Sequence, residues 1–189
     1  MKRAVLYAIG LVLIVAAAAA IVLAVRAAKN HDGGGSNPAA TSTQSSSAKK
    51  ACDIFTLAEA KKLLGDTARG GVVPVNDTTD DFRVSTCSYT QDQGSNAPTA
   101  SRLVANLLAQ FPLNDKAVAS NQNQFGPLKP TTVQDVSGYG DKAYWDPKLG
   151  QLNILKNNTW YILSFGPTTP ASRSLAQTRQ LADLLINKL

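Results

Sequence analysis

The chain of 189 residues has room for one folded domain with appendages, and its 19 Lys and Arg against 13 Asp and Glu give a formal charge of +6. The excess is local: residues 1–50 carry six bases, Lys2, Arg3, Arg26, Lys29, Lys49 and Lys50, against Asp32 alone, whereas residues 51–189 carry 13 bases and 12 acids. Nucleic-acid binding needs basic charge on the folded surface that meets phosphates, so no nucleic-acid partner is expected.

The basic residues flank Ala4–Val25, a run of 22 residues without a charge. A helix of that length spans about 33 Å, enough to cross a hydrocarbon core of about 30 Å. Residues 1–26 are therefore predicted to be a signal anchor, a transmembrane helix that contacts the membrane through residues 4–25. A cleaved signal peptide is the alternative, but its apolar run is usually about 7–15 residues and ends at a small-x-small site; here Ala18-Ala19-Ala20 lies inside the run. Lys2 and Arg3 ahead of the segment, against Arg26 and Lys29 behind it, bias the amino terminus weakly towards the cytoplasm. The two cysteines, Cys52 and Cys87, both lie in the part that would be exported. A disulfide between them would stabilise by about 3.8 kcal/mol in the chain-entropy picture and requires an oxidising compartment. The alternative is two separate buried thiols.

Residues 27–50, rich in Gly, Ser, Thr and Ala, read as a flexible linker that holds the only histidine, His31. The folded domain, 51–189, opens with Thr56 and Glu59 as a capping box, then Leu57, Ala60, Leu63 and Leu64 on one face of a short helix closed by Gly65. "GVVPV" and "FRVSTCSYT" are β-rich and read as strands joined by a turn at "NDTTDD", with the buried face of the second undetermined. "RLVANLLAQF", residues 102–111, fits a helix and a strand equally well. Asn114 caps a middle helix that ends near Gly126. "LNILKNNTWYILSFG" is a hairpin signal, with Asn157-Asn158 suited to the positive-φ positions of a tight turn. Thr169 and Pro170 are expected to open a long C-terminal helix through Leu175, Leu181, Ala182, Leu185 and Leu189.

"VSGYGDKAYWD" tests the chemistry. A dinucleotide fingerprint needs a third glycine and a following helix, but Ala143 stands at the third position and the chain leads towards a hairpin. The segment therefore reads as a turn at a strand entrance, with Asp141 accepting local backbone hydrogen bonds. Histidine-based triads are excluded from the domain. The acidic turn Asp77, Asp80 and Asp81 lacks the glycine and distal glutamate of a calcium loop, so no metal and no cofactor are expected. Tyr139, Asp141, Tyr144 and Trp145 are the candidate ligand-binding residues, and convergence of Asp53, Asp135, Asp141 and Asp146 would be needed for carboxylate chemistry.

Cys52-Asp53-Ile54-Phe55-Thr56-Leu57-Ala58-Glu59-Ala60, Cys87-Ser88-Tyr89 and Gly138-Tyr139-Gly140-Asp141-Lys142-Ala143-Tyr144 before a hairpin together resemble a family of small uncharacterised exported domains typified by actinobacterial lipoproteins. The resemblance covers most of residues 51–189. It implies an α+β domain with Cys52 and Cys87 bonded, favours residues 102–110 as a strand, and brings no established reaction. The lipoproteins are lipid-linked, and that attachment does not carry over to a chain with a transmembrane anchor.

The expectation is thus an α+β domain outside the cytoplasm, in which a mainly antiparallel sheet is packed by a short N-terminal helix, a middle helix and a long C-terminal helix, behind one transmembrane helix. Its expected role is to bind an envelope component or a protein partner without catalysis. A histidine-free carboxylate-dependent envelope hydrolase and a structural envelope spacer are the alternatives.

Overall fold

A computed structural model describes residues 50–72, 76–92 and 102–189. The predicted anchor at 1–26 and the linker up to residue 49 lie outside the described residues. Among those described, no helix is long and apolar enough to cross a membrane.

Two short helices open the domain, α1 (Ala51–Ile54) and α2 (Leu57–Leu64), and the second is capped as predicted. Thr56 N–H donates to Glu59 Oε2 at 3.0 Å, the Thr56 hydroxyl donates to the same oxygen, and Gly65 at φ 79° ends the helix. The chain then enters β1 (Ala68–Val72) and β2 (Asn76–Thr78), which pair along opposite halves of the long β3 (Phe82–Gln91). Part of the stretch expected as a turn, Asn76–Thr78, is therefore strand, and only 79–81 turn. The reason is register: Asn76, Asp77 and Thr78 face Ser85, Val84 and Arg83, so their backbone groups are taken up by the ladder.

β4 (Leu103–Pro112) settles the ambiguous segment as a strand. It lies between β3 and β8 (Thr159–Pro167), and Ala105, Leu107 and Ala109 on one face are fully buried. Val104 and Gln110 on the other face are buried too. A strand covered on both sides loses its polar alternation, which is why its sequence also satisfied a helical spacing.

The remaining strands are β5 (Gln134–Asp135), β6 (Lys142–Asp146) and β7 (Gln151–Lys156), giving an eight-stranded sheet in the order β1-β3-β4-β8-β7-β6-β5 with β2 beside β3. All its pairs are antiparallel. The β7–β8 hairpin turns at Asn157 (φ 51°) and Asn158 (φ 64°), as predicted.

On one face the strands present Cys87, Tyr89, Leu107, Leu163, Phe165, Leu152 and Ile154 to α1, α2 and α4 (Leu175–Leu185). Ile54, Phe55, Leu64, Leu181 and Leu185 complete this core, each at most 1 % exposed. Helix α4 does not start at Thr169. Pro170–Ser172 form one 3₁₀ turn, and the α-helix begins after Ser174, whose hydroxyl accepts from Gln177 N–H at 3.2 Å while Gln177 Oε1 accepts from Ser174 N–H at 3.3 Å. Between them Arg173 stays extended, donating to the carbonyls of Pro167 and Thr168, and so separates the two segments. The capping box is therefore Ser174-x-x-Gln177.

The other face carries α3 (Asp115–Gln124), capped by Asn114 as predicted, with Asn114 Oδ1 accepting from Ala117 N–H at 2.9 Å. Buried Asn121 bonds Gln110 Nε2 and the Asn158 carbonyl, and Phe125 packs on Tyr144 and Trp160 at 5.1 and 5.8 Å between ring centroids.

Cys52 and Cys87 form a disulfide with their Cα atoms 5.0 Å apart, joining α1 to β3. Such a bond belongs to an oxidising compartment outside the cytoplasm.

Candidate functional site

Alternation along β6 sends Lys142 and Tyr144 to the face that carries α3, and Ala143 and Trp145 to the helix-packed core. Beside them β5 places Asp135 opposite Tyr144. Phe125 approaches from the end of α3 and Lys129 from the connection that follows it. These residues, with Val136, line a cleft of about 320 Å³ at the β5–β6 edge of the sheet. Its size is at the lower end of the range for small-molecule sites.

The cleft has an apolar wall and a charged rim. The ring of Phe125 is 6 % exposed and lies 5.1 Å from that of Tyr144. Lys129 Nζ pairs with Asp135 Oδ1 at 2.5 Å, which neutralises one amine. Lys142 is exposed and makes no ion pair among the described residues, so the rim keeps an unbalanced positive charge. Tyr144 is 5 % exposed, yet its hydroxyl makes no hydrogen bond among the described residues. Burial, helped by the charge of Asp146, pushes that phenol up to about 12, so it is a protonated donor at neutral pH. An ammonium and a phenol are hydrogen-bond donors that suit an acceptor-rich group.

Of the four candidate residues, only Tyr144 lines this cleft. Trp145 is a core residue, 5 % exposed, on the opposite face of the sheet. Tyr139 packs against the core and donates to Asp183 Oδ1 on α4 at 2.7 Å, and burial together with that bond pushes it up to about 12. Asp141 accepts from Asn157 N–H at 3.0 Å, while its own N–H donates to the Leu155 carbonyl at 2.7 Å. The Gly138-x-Gly140 segment is thus a turn at the entrance to β6 that grips the β7–β8 hairpin. Gly140, at φ 59°, has no room for a side chain, because a Cβ would sit 2.5 Å from the Leu155 carbonyl oxygen.

The four aspartates considered for carboxylate chemistry have separate local roles. Asp53 accepts from Lys50 N–H at the start of α1, Asp135 holds Lys129, Asp141 caps the hairpin turn, and Asp146 Oδ1 accepts from Lys148 and Leu149 N–H at 2.9 and 3.2 Å. Among the described residues no group of three His, Cys, Asp or Glu is placed to hold a metal ion.

Sequence reasoning did not single out Phe125, Lys129 and Lys142. They come from the end of a helix, an irregular connection and the first residue of a strand, and each reads alone as an ordinary solvated or core residue. The pairing of β5 with β6, two residues long, brings them together.

Fold and site define an antiparallel-sheet α+β domain, stapled by a disulfide and bearing a small cationic cleft at one sheet edge. No family model, curated protein or solved structure matches the chain.

Proposed function

We propose that the protein is a membrane-anchored, extracytoplasmic binding module that seats an envelope component or a partner's side chain in the β5–β6 cleft without transforming it. The observation that carries this reading is the cleft's composition. It joins two amines, a phenol and an aromatic wall with a single carboxylate, which is already bound to one of the amines. General acid–base hydrolysis of a glycan needs two carboxyl groups facing the substrate, whereas retention needs a concave surface with a few fixed polar groups. The apolar segment Ala4–Val25 supports attachment to the membrane, and the disulfide supports placement of the domain on its oxidising side.

The test uses the full chain in non-ionic detergent, with NMR on the domain's amides during titration with envelope extract from the producing cells. Shifts should concentrate at residues 125–136 and 142–144, and envelope glycans and peptides should pass through unhydrolysed. Shifts confined to other surfaces would remove the cleft from the reading. Hydrolysis abolished by Asp135→Asn with Asp146→Asn, in a folded variant, would replace the module with the hydrolase.

A further inference from the structure

Resting on that binding reading, we infer that the cleft takes the anionic oxygen group of a small organic anion, a carboxylate or phosphate ester, with the attached apolar or ring portion lying against Phe125. Three independent observations converge on it. Lys142 stands at the rim with no carboxylate partner among the described residues, although Lys129, on the other side of the same cleft, has one. The Tyr144 side chain is more than nine-tenths buried in the cleft wall, and its hydroxyl has no hydrogen-bond partner among the described residues. That hydroxyl is not one of the fully enclosed side-chain atoms left without a partner among the described residues, so it still opens on the cleft, where a ligand acceptor can take its hydrogen bond. The third observation is the wall itself: Phe125, Val136 and the Tyr144 ring are apolar, and a free inorganic ion would leave them uncovered.

The arrangement has a definite logic for an anion. Asp135 holds Lys129 in place, so this amine does not need to be ordered when the ligand arrives, and pre-ordered donors bind at lower entropic cost. Lys142 supplies the charge that Asp135 does not cancel. Tyr144 supplies a short, directed bond to the ligand oxygen, and its position opposite Asp135 in the β5–β6 ladder sets it beside the ion pair. A cationic ligand would have to approach Lys142 against like charge, and a neutral alcohol would leave that ammonium without its counter-charge.

The experiment titrates the full chain in non-ionic detergent with phenyl phosphate, benzoate, benzyl alcohol and benzylamine, following amide cross-peaks and the fluorescence of Trp160, which packs on Phe125. Phenyl phosphate and benzoate should saturate with shifts at residues 129–136 and 142–144. Lys142→Gln should weaken both at least fivefold, and Tyr144→Phe about threefold or more, with the remaining cross-peaks of each variant unchanged. Vesicles separate the sources of the group. Cleft shifts with phosphatidylglycerol vesicles and none with phosphatidylcholine would assign it to a lipid headgroup, and shifts with the soluble probes alone would assign it to a free metabolite. Equal or tighter binding of benzyl alcohol or benzylamine, indifferent to Lys142→Gln, would overturn the anion while keeping the cleft as a binding site. No response to any probe or vesicle, with the envelope-extract shifts still centred on the cleft, would overturn the anion alone. Absence of both responses would end both readings.

Discussion

Glu59 shows how much one side chain can hold together. It closes the capping box of α2 and also accepts from Lys188 Nζ at 2.5 Å, which ties the carboxyl-terminal end of the chain to the first helices. Burial alone would raise its carboxyl, but the hydrogen bonds from Lys188 and Thr56 outweigh burial and hold it at about 2, against an ordinary 4.5. Because the folded value is the lower one, the contribution to stability is complete above pH 4.5 and is lost as pH falls towards 2. Glu59→Gln should cost about 1–2 kcal/mol near neutral pH, the partly exposed lysine keeping the figure small. In thermal unfolding the gap between variant and parent should close between pH 4.5 and 2, and a constant gap would refute this account. Gly140 and Gly138 offer a contrast at the same scale. Both have positive φ, but only Gly140 is pressed against the Leu155 carbonyl. Gly140→Ala should therefore destabilise by about 2–3 kcal/mol and Gly138→Ala by about 1 kcal/mol, measured by denaturant unfolding.

Among the elements, α1 depends most on a covalent tie. It has four residues, too few to persist alone, and it is fixed by the Cys52–Cys87 bond and by Ala51 N–H donating to Ser85 Oγ at 3.0 Å. Replacing both cysteines with serine should lower stability by about 3–4 kcal/mol and the midpoint of thermal unfolding by roughly 10 °C. Native-state hydrogen exchange should show the loss concentrated in α1 and α2, and an unchanged midpoint would count against the staple. Legibility also varies by element. The β7–β8 hairpin was plain because Asn157-Asn158 both supply the turn and interrupt the apolar strands, and α2 was plain because its cap and its apolar face lie within nine residues, Thr56–Leu64. The start of α4 is not legible locally, because Thr169-Pro170 carries a helix-start signal as Ser174-x-x-Gln177 does, and the bonds of Arg173 to the carbonyls of Pro167 and Thr168 separate the two segments. Nothing in β4 distinguished strand from helix locally, since its neighbours on both sides of the sheet determine which residues are covered.

At the scale of the molecule, the site was less legible than the fold for the same reason. The aromatic residues of 139–145 are adjacent in sequence, but a strand sends neighbours to opposite faces, so Tyr144 reaches the cleft while Trp145 enters the core. The partners of Tyr144 come from residues 125–135, and no pattern in that stretch announces its meeting with β6. The sheet's outer margins have a further consequence. One margin is β5, two residues long, and the other is divided between β1 and β2, with an irregular register at Gly70/Val72. Among the described residues, neither presents a long flat row of free backbone groups on which another chain could add a strand. Many copies held side by side at high local concentration would therefore meet through side chains and stay separate bodies, instead of zipping into fibres.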